Sequence, residues 1–144
     1  MTPTGRRALG LDLGSKRVGV AVSDRTGTVA SPLSVLQRSG SVRRDHRAIA
    51  ELVVEEEADI VVVGLPLNMS GTAGPAARAA IDEAASLATV VGVPVVTFDE
   101  RRTTVTADQA MIEANMRAQA RRRIVDKIAA AVMLQGWLDA GGPR

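Results

Sequence analysis

No cysteine occurs among the 144 residues, and histidine occurs once, at His46. The first absence excludes disulfides, thiolate metal sites and cysteine nucleophiles. The second argues against a histidine-rich zinc site and a His-paired serine triad. Aromatic residues are almost missing too, with Phe98 and Trp137 standing alone. The core must therefore be aliphatic and closely interdigitated, and aromatic platforms on which splayed bases could stack are almost absent. No apolar run approaches the roughly 20 residues that a membrane span needs. The first residues, MTPTGRRA, do not read as a signal peptide. A cytoplasmic protein with no membrane partner is expected.

What is present is a globular composition, 46% hydrophobic, at a length that suits one domain over residues 1–144. The net charge of +2 is unevenly spread. Residues 26–96 carry 5 basic and 8 acidic side chains, and the flanking segments carry 13 basic and 8 acidic. Arginine heavily outweighs lysine, and its planar fork suits bidentate contact with phosphate. A charged, solvated surface is the plain reading of this bias; a phosphate-rich partner is the sharper one.

Short apolar runs at 8–14 and 17–23, split by Ser15 and Lys16, read as a β-hairpin. A third strand is expected through 29–35, with Pro32 marking an edge or a bulge. Helical spacing covers 41–57, where Ile49, Leu52 and Val53 share a face. The β-branched run 59–64 suits a strand buried on both faces, and the loop 65–75 follows. Ala77, Ala80, Ile81, Ala84, Leu87, Ala88 and Val91 mark a second helix. A buried strand at 93–98 then leads to a helix over about 105–116, an arginine-rich link at 117–123 and a long helix to about 139. The order implies an α/β fold with a mixed five-stranded sheet, a three-strand meander followed by parallel strands, flanked by helices.

Three acids stand out in this frame. Asp12 interrupts an apolar strand, LGLDLG, and alternation puts it on the face opposite Leu11 and Leu13. It must reach solvent, a polar partner or a cation, because an unpaired buried charge is costly. Glu100, beside Asp99, ends a strand at the sheet edge where ligands gather in open α/β folds. Asp126 sits in RRRIVDKIAAAVMLQGWL, a helix apolar nearly all round, where Arg122, Arg123, Lys127 or a shared cation would compensate it. Carboxylates without histidine or cysteine form an oxygen-only set that suits Mg²⁺ or Mn²⁺. Two such ions about 4 Å apart are a standard device for cutting a phosphodiester. Spacing alone does not join positions 12, 100 and 126; the fold has to. The glycine-rich loop 64–74 leads into a helix N-terminus and suits either close approach to phosphate or simple helix entry. Its Asn68 would donate to a phosphate or hold the loop. Lys16, Arg17, Arg101, Arg102 and the run Arg121, Arg122, Arg123 are candidates for neutralising a nucleic-acid backbone.

Four blocks, GLDLGSKRVGVAVSD (10–24), VGLPLNMSG (63–71), FDERRTT (98–104) and VDKIAAAVMLQGWLD (125–139), resemble in order the signature blocks of the YqgF/RuvX family. That family comprises nucleases of the pre-16S rRNA type, related to Holliday junction resolvases and built on the ribonuclease H-like fold. The resemblance spans roughly residues 8–139. It implies Asp12, Glu100 and Asp126 as catalytic, metal-binding acids, and 5′-end maturation of pre-16S rRNA as the task. Branched DNA is the other substrate it implies, and a non-catalytic nucleic-acid-binding assembly factor is the remaining alternative. A monomer or weak homodimer is expected. Actin-like sugar or acetate kinases share an acidic hairpin, but they need two such domains around a nucleotide cleft.

Overall fold

The computed structural model describes residues 7–66, 72–99 and 118–141, the stretch 118–125 by its backbone alone. Within them lie strands β1 (Ala8–Leu13), β2 (Arg17–Ser23) and β3 (Ala30–Gln37), helix α1 (Val42–Glu55), strand β4 (Ile60–Leu65), helix α2 (Pro75–Ala88), strand β5 (Val95–Asp99) and helix α3 (Ala118–Asp139). The strands form one sheet in the order β3-β2-β1-β4-β5. β1, β2 and β3 pair antiparallel, whereas β4 and β5 run parallel to β1. The expected mixed sheet of a meander followed by parallel strands is what the chain forms.

β3 is an edge strand, and Pro32 on it lies beside a register irregularity at Val20/Ala21, so the edge and the bulge coincide. Ser41 caps α1 by accepting from the Arg44 amide. Pro75 opens α2, where its missing N–H is no loss. On α2 the stripe is narrower than its apolar spacing suggests: Ala77, Ala80, Ala84 and Leu87 are buried, while Ile81 and Ala88 face out. The arginine-rich link expected at 117–123 is not a link. α3 already begins at Ala118, because alanine and arginine are both strong helix formers and a charge run does not end a helix. The helix expected over 105–116 lies outside the described residues. Among those that are described, no helix is long and apolar enough to cross a membrane.

The two faces of the sheet carry different side chains. Leu9 and Leu11 on β1, Val18, Val20 and Val22 on β2, and Val61 and Val63 on β4 meet α1 and α2 through Ile49, Val53, Ala84 and Leu87. The opposite face meets α3, whose Ala130, Ala131, Met133 and Leu134 pack on Ala8, Ala21, Ile60 and Val62. Strand alternation turns the large residues of LGLDLG and VGVAVS one way and the small ones the other. The small ones make a trough for α3.

Two glycines in that trough set how closely α3 sits. A Cβ added at Gly10 would lie 2.9 Å from the Leu134 Cβ, and one added at Gly19 would lie 2.0 Å from the Asp126 carbonyl oxygen. The first obstacle is a side chain; the second is helix backbone and cannot turn aside. Further along, Gln135 fastens the helix to the β2–β3 turn, accepting from the Ala30 amide and donating to the Thr28 carbonyl, each at 2.9 Å. Gly19→Ala is therefore expected to lower stability by about 2–3 kcal/mol, as overpacking against backbone does. That corresponds to a melting point lower by roughly 4–12 °C in a domain of this size. Gly92→Ala, where an added Cβ meets nothing within 4 Å, should stay within about 0.5 kcal/mol of the parent. Thermal melting of the two variants side by side checks both.

Candidate functional site

The contact at Gly19 brings two of the three expected acids together. Asp12 is the direct cross-strand partner of Gly19, so their Cα atoms are about 5 Å apart and both positions face the same side of the sheet. That side carries α3, whose backbone at Asp126 occupies the space a side chain at position 19 would take. Asp12 and Asp126 therefore flank one spot at the carboxyl edge of the parallel strands, although 114 residues separate them in sequence.

Arg17 completes the spot. It lies on β2 two residues before Gly19, on the same face, and its Nε donates to Asp126 Oδ2 at 2.6 Å. The side chains are 26% and 25% exposed respectively. The compensation expected from Arg122, Arg123 or Lys127 thus comes from across the sheet. A pair this exposed contributes at most about 1 kcal/mol.

Glu100, Arg101, Arg102 and Asn68 lie outside the described residues, as do the side chains of Arg121, Arg122 and Arg123. The α3 backbone puts those three arginines about one turn before Asp126. Lys16 is exposed in the hairpin turn between Asp12 and Arg17. Asp99 pairs in register with Leu65, one step beyond the Gly64–Phe98 pair. Phe98 packs with the α3 cluster, so alternation turns Asp99 to the opposite face, away from Asp12 and Asp126. Among the described residues no three metal-ligating side chains form a cluster. The two acids whose backbones meet at Gly19 offer oxygen donors alone, the type that suits a hard divalent cation.

The turn carrying Lys16 is braced by a polar network on the α1–α2 face that the sequence did not disclose. The Arg38 amide donates to the Lys16 carbonyl at 2.9 Å, and Arg38 Nε donates to the Gly14 carbonyl at 3.0 Å. The same guanidinium grips Glu83 of α2 with both Nη atoms, at 2.6 and 2.9 Å. Asp45 of α1 stands 3.8 Å from it. His46 Nε2, almost wholly buried, lies 2.8 Å from Glu83 Oε2. Burial pushes the Glu83 carboxyl up, but hydrogen bonds from Arg38 and His46 outweigh it and hold the group below the usual carboxylate range. An ionised Glu83 only accepts, so His46 Nε2 carries the proton of that bond. The Ser39 hydroxyl, which donates at 2.7 Å, likewise holds Asp45 low against its burial. The bond to Glu83 raises Arg38 further.

Comparisons with known proteins follow the same lines. The RuvX family model, described as Holliday junction resolvase, matches residues 6–140. A Myxococcus xanthus protein named "Putative pre-16S rRNA nuclease" is 45% identical over 137 residues, 95% of this chain and 90% of its own length. A protein of the same name from Listeria innocua is 43% identical over 134 residues, 92% of this chain and 97% of its own. Among solved structures, Thermus thermophilus RuvC in complex with a Holliday junction superposes with a TM-score of 0.59 at 17% identity, covering 94% of this chain and 96% of that one. RuvC from the same organism, in a second structure, gives 0.54 at the same identity and coverage. The sheet and its helices are therefore those of the ribonuclease H-like fold, as the resemblance implied.

The Glu83 network generates a pH prediction. A carboxyl whose folded pKa is depressed stabilises the fold above its unfolded value, near pH 4, and loses that contribution as pH falls through the folded value. The parent should therefore lose stability on acidification below about pH 5. Glu83→Gln strands part of the Arg38 charge and should cost about 3 kcal/mol at pH 7, the lower end for a broken buried pair. Its further loss between about pH 5 and 3 should be smaller than the parent's. Melting curves across that range check this, and parallel acid curves for parent and variant would contradict it.

Proposed function

This chain belongs to the RuvX family, and on that premise we propose that it is a metal-dependent endonuclease of structured nucleic acid. The observation that carries the proposal is the meeting of Asp12 and Asp126 at Gly19. Two carboxylates at one sheet edge repel each other and repel phosphate unless a cation lies between them. Glu100 is the third acid of the set, contributed from just beyond β5. Asp12, Glu100 and Asp126 would hold a divalent cation there, which would supply an activated water and charge neutralisation at the leaving oxygen.

The chain's own groups do the rest. Asp12 is fixed by β1 in the sheet centre and Asp126 by a helix wedged on Gly19, so the oxygens are preorganised by rigid elements. Lys16 and Arg17 supply cations at the same edge for the sugar–phosphate backbone, and Asn68, Arg101, Arg102, Arg121, Arg122 and Arg123 are the further donors we assign to it from the sequence. With two aromatic residues in the chain, recognition proceeds through shape and phosphate instead of stacking. The reading treats residues 1–144 as one cytoplasmic nuclease domain working as a monomer or weak homodimer.

Precursor 16S rRNA is the substrate we favour, since the curated relatives carry that name over most of their length. Branched DNA is the second reading, favoured by the family model's description and the RuvC fold. The two are separated by offering purified protein a transcript of the precursor's 5′ region and a four-way DNA junction, each with Mg²⁺ or Mn²⁺. Cleavage of the transcript that stops in excess EDTA is the expected result. Asp12→Asn and Asp126→Asn should each reduce it by at least 10²-fold while the fold survives. Undiminished cleavage by metal-free protein in EDTA would end the proposal, and cutting of the junction alone would move it to the second reading.

A further inference from the structure

The pairing of Arg17 with Asp126 is what the nuclease reading leaves unexplained. If Arg17 only met phosphate it would point into solvent, yet its Nε lies 2.6 Å from a carboxylate assigned to the metal. Arg17 is anchored on β2, opposite Gln37 of β3, and shares the sheet face of Asp12 and Gly19. Its guanidinium thus stands against Asp126, on the sheet face that also carries Asp12. Both partners keep about a quarter of their surface in solvent, so the pair is weak enough to exchange.

We propose that Arg17 is the resident counter-cation of the acidic site, holding Asp126 until it yields that carboxylate to a divalent ion. The inference rests on the metal-binding reading of Asp12 and Asp126. It makes Arg17 a positioning residue with two alternating partners. While paired it relieves repulsion between the acids and keeps Asp126 aimed at the sheet. On metal entry it must give up the contact, which lowers the apparent metal affinity by the fraction of time Asp126 is occupied.

The test is Mn²⁺ binding to the full chain, read from the electron paramagnetic resonance of the free ion, with melting curves to show that each variant is folded. Arg17→Met should bind Mn²⁺ roughly three- to tenfold more tightly than the parent, the range expected from losing one exposed competing pair. Arg17→Lys, which keeps a charge without the rigid fork, should fall between them. Lys16→Met removes an adjacent charge without touching this pair and should change affinity less than twofold. Equal or weaker binding by Arg17→Met would overturn the proposal, as would an equal gain in Lys16→Met, which would reduce the effect to the general field. Asp126→Asn separates the two levels. Mn²⁺ binding at least tenfold weaker supports the metal reading on which the proposal rests. Parent-like binding would remove Asp126 from the site and take the Arg17 proposal with it.

Discussion

The carbonyl oxygen of Asp126 occupies the space that a side chain at position 19 would need, and the acidic edge depends on that close approach. A helix carrying larger residues against the sheet would ride higher and shift along it. The trough of Ala8, Gly10, Gly19 and Ala21 lets α3 sink onto β1 and β2, and the bond from Gln135 to the β2–β3 turn fixes its far end. With both ends held, the distance between Asp12 and the helix is set by covalent geometry and packing together. Mobile side chains have little part in it. That is the condition a cation-binding pair of carboxylates has to meet.

Charge on the two faces of the sheet serves different ends. On the α1–α2 side, Arg38 joins Glu83 and Asp45 and reaches the carbonyls of Gly14 and Lys16. It is largely buried and bidentate, and it holds together two helices and the turn that separates Asp12 from Arg17. On the α3 side, the Arg17–Asp126 pair is about a quarter open to water and single-pronged. The first arrangement is suited to rigidity; the second is suited to exchange. The hairpin turn lies between them, bonded to Arg38 through the carbonyls of Gly14 and Lys16.

Much of this was legible in the sequence for a definite reason. Alternation in LGLDLG and VGVAVS separates large from small residues so cleanly that strand faces, the inward helix of α1 and the placement of Asp12 follow from period alone. An acid inside an apolar stripe is the signal that singles out Asp126, and in the fold that acid meets Arg17 across the sheet. The same signal was present at Glu83, which stands three residues after Ala80 and four before Leu87 on the buried stripe of α2, and at His46, three before Ile49. Half of α2 is alanine, so its pattern is weak at Glu83, and a lone histidine on α1 carries no sign of its partner. The partner of Asp126 was not legible at all: Arg17 is 109 residues away, and nearer arginines looked sufficient. The start of α3 differs from the sequence expectation because a run of arginines resembles a break, whereas helix propensity carries straight through it.

The central claim is that Asp12 and Asp126, brought together over Gly19, bind one divalent cation. Crystals of the full chain grown with Mn²⁺, measured for the anomalous signal of manganese, test it most directly. The account predicts an anomalous peak between these two carboxylates, with oxygens of both in its coordination shell. A peak coordinated elsewhere, or one held by Asp12 while Asp126 remains paired with Arg17, would contradict it.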